Sequence, residues 1–160
     1  MTAPSRRALL RALALSPLAW FGRAPRAEAK DYTGAAEVLD AIDALEGEVG
    51  ARLSTIAAAL ASARPLVQSL LADHARHRTA RALVRVHLRL PAGSTPSLAK
   101  PGPSLDDLRA AQEALVYAHA EGLPALGDAR SVAALSENMR DLARHLTIID
   151  LWLEAEAARG

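Results

Sequence analysis

The stretch from Pro91 to Pro103 constrains the fold of this chain more than any other segment. Its thirteen residues contain four prolines and two glycines. It cannot be helical, because proline has no amide hydrogen to give and its ring collides with the preceding turn. On either side the chain reads as helix. Ala and Leu supply 37 and 26 of the 160 residues, against 11 Val plus Ile and 5 aromatics. Ala and Leu cost little to place in a helix, whereas strands favour β-branched and aromatic residues. The expectation is an all-α domain in two helical halves.

Each half divides once more. The first helix is expected from about Thr33, a suitable N-cap with Glu37 in the first turn, to about residue 61. Its apolar stripe is Leu39, Ile42, Val49, Leu53, Ile56 and Leu60, at steps of three and four. The second runs from Pro65, which suits a first helical position, to about residue 90. The third starts at Ser104, where Ser104 and Asp107 form a capping box, and runs to about residue 122. The fourth spans about 128–157, with Leu135, Leu142 and Ile149 one heptad apart. Short links predict two antiparallel hairpins. Thirteen extended residues reach about 43 Å at roughly 3.3 Å each, and a helix of about 26 residues is roughly 39 Å long. The Pro/Gly segment can therefore cross the full length of a four-helix bundle between helices two and three.

Residues 1–29 read as an export signal rather than part of the fold. Arg6, Arg7 and Arg11 precede a mildly apolar stretch from Ala12 to Phe21, and Ala27-Glu28-Ala29 has the small-x-small pattern of a cleavage site. The segment Ser5-Arg6-Arg7-Ala8-Leu9-Leu10-Arg11 resembles a twin-arginine signal. That resemblance implies a periplasmic or otherwise exported protein that crosses the membrane folded. Removing the signal takes away five Arg and one Glu, leaving 14 basic and 17 acidic residues. A net charge of −3 gives no electrostatic case for nucleic-acid binding, and no membrane association is expected of the mature chain. The absence of Cys excludes disulfides, thiolate metal sites and CxxCH haem attachment.

Polar residues interrupt the apolar stripes near the middle of all four expected helices. At about 100° per residue, Glu46 lies within about 40° of the centre of the first helix's apolar face. His74, His77 and Arg81 occupy the face defined by Leu66, Leu70, Val84 and Leu88, with Asp73 at its edge. Gln112 and His119 interrupt the third stripe, with Glu113 at its flank; Asn138 and His145 interrupt the fourth, with Asp141 at its border. Asp73-His74-Ala75-Arg76-His77 and Asp141-Leu142-Ala143-Arg144-His145 share the pattern Asp-x-Ala-Arg-His. Glu46 precedes His77 by 31 residues and Glu113 precedes His145 by 32, which implies an approximate internal two-fold.

On these residues the chain resembles the ferritin-like superfamily, whose di-metal carboxylate proteins draw a Glu from each of two helices and a Glu-x-x-His from each of the other two. The resemblance implies iron or manganese, with Glu46, His77, Glu113 and His145 as first choices for ligands. Asp73, His74 and Asp141 would be replacements or supports. Neither Glu-x-x-His is intact: Asp73 and Asp141 stand four residues before the His. A mononuclear, nitrogen-rich or lost site therefore stays open. So do simpler roles, namely Glu46 paired with Arg81 or His77, Asp73 with His77 and Asp141 with His145 as i,i+4 pairs, and Gln112 and Asn138 as buried register-setting amides. The alternative to a metalloprotein is a metal-free helical module acting through self-association or a periplasmic protein partner.

Overall fold

A computed structural model describes residues 32–93 and 101–159. The expected signal, 1–29, and residues 94–100 of the Pro/Gly connection lie outside the described residues. The fold is all-α, with no strand among the described residues. Helix α1 spans Ala35–Ala59 and a 3-10 turn, Ala61–Ala63, leads into α2, Arg64–His87. Helix α3 spans Leu105–Gly122, and a second 3-10 turn, Leu123–Leu126, precedes α4, Ala129–Ala157. No helix among the described residues is long and apolar enough to cross a membrane.

The helix ends follow from local chemistry. Helix α3 begins with Ser104 Oγ accepting from the Asp107 amide, and α4 with the Asp128 carboxylate accepting from the amides of Arg130 and Ser131. At α1 the expected Thr33 cap gives way to Gly34, which has extended backbone and no side-chain cap. Thr33 instead donates its amide and hydroxyl to Glu37, at 3.0 and 2.8 Å. Helix α2 stops at His87, before Pro91 is reached. The amides of Arg89 and Leu90 bond back to the carbonyls of Val86 and Arg85, closing a Schellman turn with Arg89 left-handed at φ 56.

The apolar stripes become the core. Leu39, Ile42, Val49, Leu53 and Ile56 of α1 are fully buried with Val67 of α2, Leu108 and Leu115 of α3, and Leu135 and Leu142 of α4. Leu60, expected in the stripe, caps α1 in extended geometry and is 39% exposed. Helix α1 packs against α2 and α3, and α4 packs against α2 and α3, in the arrangement of a helical bundle. Asp40 and Asp43 of α1 meet Arg85 of α2, and Glu46 meets Arg81 and His74. Arg52 of α1 meets Asp107 of α3, whereas Val38 lies against Gly122, where an added Cβ would collide with it. Arg109 of α3 meets Asp150 of α4, and the Gln112 amide donates to the Leu142 carbonyl.

Candidate metal centre

A layer of ionisable side chains crosses the middle of this core. His74, His77 and Arg81 stand at steps of three and four on α2, on the same face as Leu70 and Val84, so helical geometry alone carries them inward. Glu46 sits four residues after Ile42 and three before Val49; His145 sits three after Leu142 and four before Ile149. None of these five is more than 3% exposed.

Glu46 is shared between two partners. Its Oε1 lies 3.1 Å from His74 Nδ1 and 3.8 Å from His77 Nδ1, and its Oε2 accepts from Arg81 Nη2. Burial by itself would raise the Glu46 carboxyl; the hydrogen bonds from His74 and Arg81 and the Arg81 charge overcome that and hold it at about 2. Arg81 Nε also donates to Asp43 at 2.7 Å, and Arg85 donates to Asp40 and Asp43 at 2.7 and 2.8 Å. This ladder of carboxylates and guanidiniums ties α1 to α2. Arg85 is 4% exposed and had no place in the helical stripe. The signal for it was the three- and four-residue spacing of Asp40, Asp43 and Glu46 opposite Arg81 and Arg85.

The rings of His74, His77 and His145 form a triangle with centroids 5.3 to 6.0 Å apart. The two Asp-x-Ala-Arg-His segments pair crosswise, rather than within one helix as i,i+4 spacing suggests. Asp73 Oδ2 accepts from His145 Nε2 at 3.0 Å, and Asp141 Oδ2 lies 3.6 Å from His77 Nε2. Each aspartate holds its other oxygen 2.6 Å from the arginine three residues later, Arg76 or Arg144. Helices α2 and α4 thus present the same device to each other. Asp73 is held below its usual range: burial opposes ionisation, and the His145 bond and the Arg76 charge outweigh it. An ionised Asp73 only accepts, so His145 Nε2 carries the proton and its Nδ1 keeps a lone pair.

The inner nitrogens have no protein partner. His74 Nε2, both nitrogens of His77 and Nδ1 of His145 are buried without a hydrogen bond. Burial lowers His77, against the pull of Glu46, and lowers His145 to about 4, against its bond to Asp73. Both rings are neutral at pH 7, the form that binds metal. The ligand atoms of Glu46, His74 and His77 all lie within 4.8 Å of one another. Bonds of 2.0–2.2 Å place two ligands of one ion at most roughly 4.4 Å apart. This group could hold a metal ion after a contraction of a few tenths of an ångström.

The other expected ligands stand apart from that group. Asp73, Asp141 and His145 form its surround. Glu113 is not brought in: its carboxylate is 2.9 Å from Arg109, which also holds Asp150. The inward position on α3 belongs to Gln112, which is 1% exposed and bonded to the Leu142 carbonyl. Asn138 reaches the His77 carbonyl at 3.4 Å, so both amides bridge helices. His119 donates through Nδ1 to the Leu115 carbonyl at 2.9 Å, and burial pushes it down to about 4.

No family model, curated protein or solved structure matches the chain. The geometry of this layer therefore carries the functional reading.

Proposed function

We propose that this chain is an exported metal-binding bundle of ferritin-like topology. It would hold one first-row transition ion on Glu46, His74 and His77, with His145 turning inward to close the sphere. The observation that carries the reading is the set of buried ring nitrogens without a hydrogen bond on His74, His77 and His145, with Glu46 behind His74, Asp141 3.6 Å from His77 and Asp73 bonded to His145. A metal-bound histidine commonly gives its other N–H to a carboxylate, which fixes the ring and raises its basicity. Two imidazoles and a carboxylate suit iron(II) and its borderline neighbours. Iron is the ion the ferritin-like resemblance implies, with manganese the alternative. One ion rather than two follows from Glu113 being engaged by Arg109, and from Arg81 taking the Glu46 oxygen that a second ion would need.

The topology is supported by the order of the contacts. Partner numbers fall along one helix as they rise along the other, from Asp40–Arg85 to Glu46–His74, and from Asp73–His145 to His77–Asp141. Both pairs of helices would then be antiparallel, and the 94–100 segment would belong to a crossover along the bundle. The twin-arginine resemblance of the N-terminus adds export of a folded, metal-loaded chain. When bound, the ion would supply Lewis-acid or redox chemistry towards oxygen or peroxide. This chain's own residues would supply neutral imidazoles, a fixed tautomer at His145 and a buried position for the ion.

The test is metal content by mass spectrometry on the mature chain, purified without chelator after iron supplementation. About one ion per chain is expected, lost in His77→Ala with helicity kept and retained in Glu113→Ala. A folded, helical chain that never carries metal overturns the proposal. That outcome would favour the metal-free module, for which the Glu46–Arg81 pair is already a satisfied buried layer.

A further inference from the structure

An ion held on buried rings must have a way in, and the charges around the layer leave one. On the α1 side a cation meets Arg81 and Arg85, both buried and each tied to two carboxylates: Arg81 to Asp43 and Glu46, Arg85 to Asp40 and Asp43. Neither guanidinium can swing aside without leaving a buried charge unpaired. On the α3 side stand Leu108, Leu115 and the neutral amide of Gln112, all buried. The seam between α2 and α4 differs. Asp73 and Asp141 line it with side chains 25% and 26% exposed, and the arginines on their outer oxygens, Arg76 and Arg144, are 67% and 57% exposed. Ion pairs of that kind, three residues apart on a helix surface, are weak, and their arginines are free to move.

The two aspartates are not equivalent on their inner sides. Asp73 Oδ2 is taken up by His145 Nε2 at 3.0 Å. Asp141 Oδ2 lies 3.6 Å from His77 Nε2, too far for a hydrogen bond, and accepts from no other group among the described residues. His77 in turn has both ring nitrogens free of hydrogen bonds, and it belongs with Glu46 and His74 to the group whose ligand atoms lie within 4.8 Å of one another. Asp141 therefore stands between solvent and an uncommitted ring nitrogen, and Arg144 is the only cation that competes for it.

We infer that a divalent cation enters the layer between α2 and α4 by way of Asp141, which takes it from water and passes it to His77, and that Arg144 sets the pace by competing for the same carboxylate. This route rests on the metal reading above and deepens it. Asp73 carries the same arginine on its outer side but has its inner oxygen occupied, so the seam contains its own control. The bound ion sits inward of Asp141 and leaves the Asp141–Arg144 pair intact, so Arg144 governs the rate of passage in both directions and not the affinity.

Cobalt(II), mixed in stopped flow with the chelator-treated chain and followed by its visible absorbance, tests the route. Arg144→Ala speeds uptake about fivefold, the full worth of an exposed ion pair. It speeds release into excess chelator by the same factor, so Kd is unchanged. Arg76→Ala removes the same charge from the same seam and alters either rate by less than about twofold. Asp141→Asn slows uptake about tenfold, because a neutral amide is a poor first ligand for a hydrated cation. Both arginines are exposed, so these variants keep the helicity of the wild type. No acceleration in Arg144→Ala, equal acceleration in Arg76→Ala, or a gain in affinity in place of faster passage each overturns the route and leaves the metal reading standing. A wild-type chain that takes up no cobalt overturns both.

Discussion

Acid should unfold the metal-free chain well above the usual carboxylate range, because two of its histidines are buried neutral. His119 and His145 are both pushed down to about 4 by burial, from an ordinary 6.5. In the unfolded chain they take up protons near pH 6.5 and in the folded chain only near pH 4. Their contribution is complete above pH 6.5 and is lost as pH falls from 6.5 to 4. Each shift corresponds to about 3 kcal/mol over the full window at 1.36 kcal/mol per unit. By pH 5 about 2 kcal/mol per histidine is gone, so the pair removes about 4 kcal/mol relative to pH 7. That is a large share of the roughly 5–15 kcal/mol that holds a domain together. Urea unfolding followed by circular dichroism, on chelator-treated protein, reads it directly. At an m-value of about 2 kcal/mol/M the midpoint falls by about 2 M between pH 7 and pH 5. His119→Leu removes about half of that fall. A midpoint that does not move between pH 7 and 5 would refute the argument that these rings are buried and neutral.

Four further outcomes follow from particular contacts. Arg89→Gly relieves a left-handed arginine and raises stability by about 1 kcal/mol, after the entropy glycine adds to the unfolded chain, read as a higher urea midpoint. Arg81→Met leaves the buried Glu46 carboxylate without its cation, with only the His74 contact, and costs about 3–5 kcal/mol in the metal-free chain, by the same measurement. Asp73→Asn and Asp141→Asn each keep the histidines yet weaken metal binding about 10- to 100-fold in competition with a chelator. Arg6→Lys with Arg7→Lys stops export of the precursor, measured by cell fractionation, and undiminished export would remove the twin-arginine reading.

The helices were legible because their stripes are strict. Ile42, Val49, Leu53 and Ile56 repeat at helical steps, interrupted only by Glu46, and the structure buries all four. Glu46, His74, His77 and His145 were legible for the complementary reason: each is an ionisable group on an apolar face. Their partners were not. Helical spacing makes Asp73 and His77 neighbours by default, but the contact of Asp73 with His145 depends on how far α4 is slid along α2, which no single-helix pattern records. Glu113 was overvalued because a wheel gives only an angle. One residue of rotation separates the flank, where Arg109 captures it, from the inward position of Gln112. The end of α2 was misjudged because Pro91 is the visible stop, whereas an arginine taking the place usually given to glycine in a Schellman turn leaves no mark in the sequence.

The crosswise aspartate–histidine pairs have a mechanical consequence. The apolar contacts between α2 and α4 set their register less sharply than a directional pair does, because a slide of one helical turn, about 5.4 Å, brings one apolar side chain to the place of another. The two pairs sharpen it. A slide of four residues one way sets His77 against His145, and the other way sets Asp73 against Asp141, so both displaced positions bring like groups together while losing two attractions at once. The layer works as a detent with a single notch. His77, one of the three side chains that could hold a metal ion, is also one of the four that keep α2 and α4 at one setting.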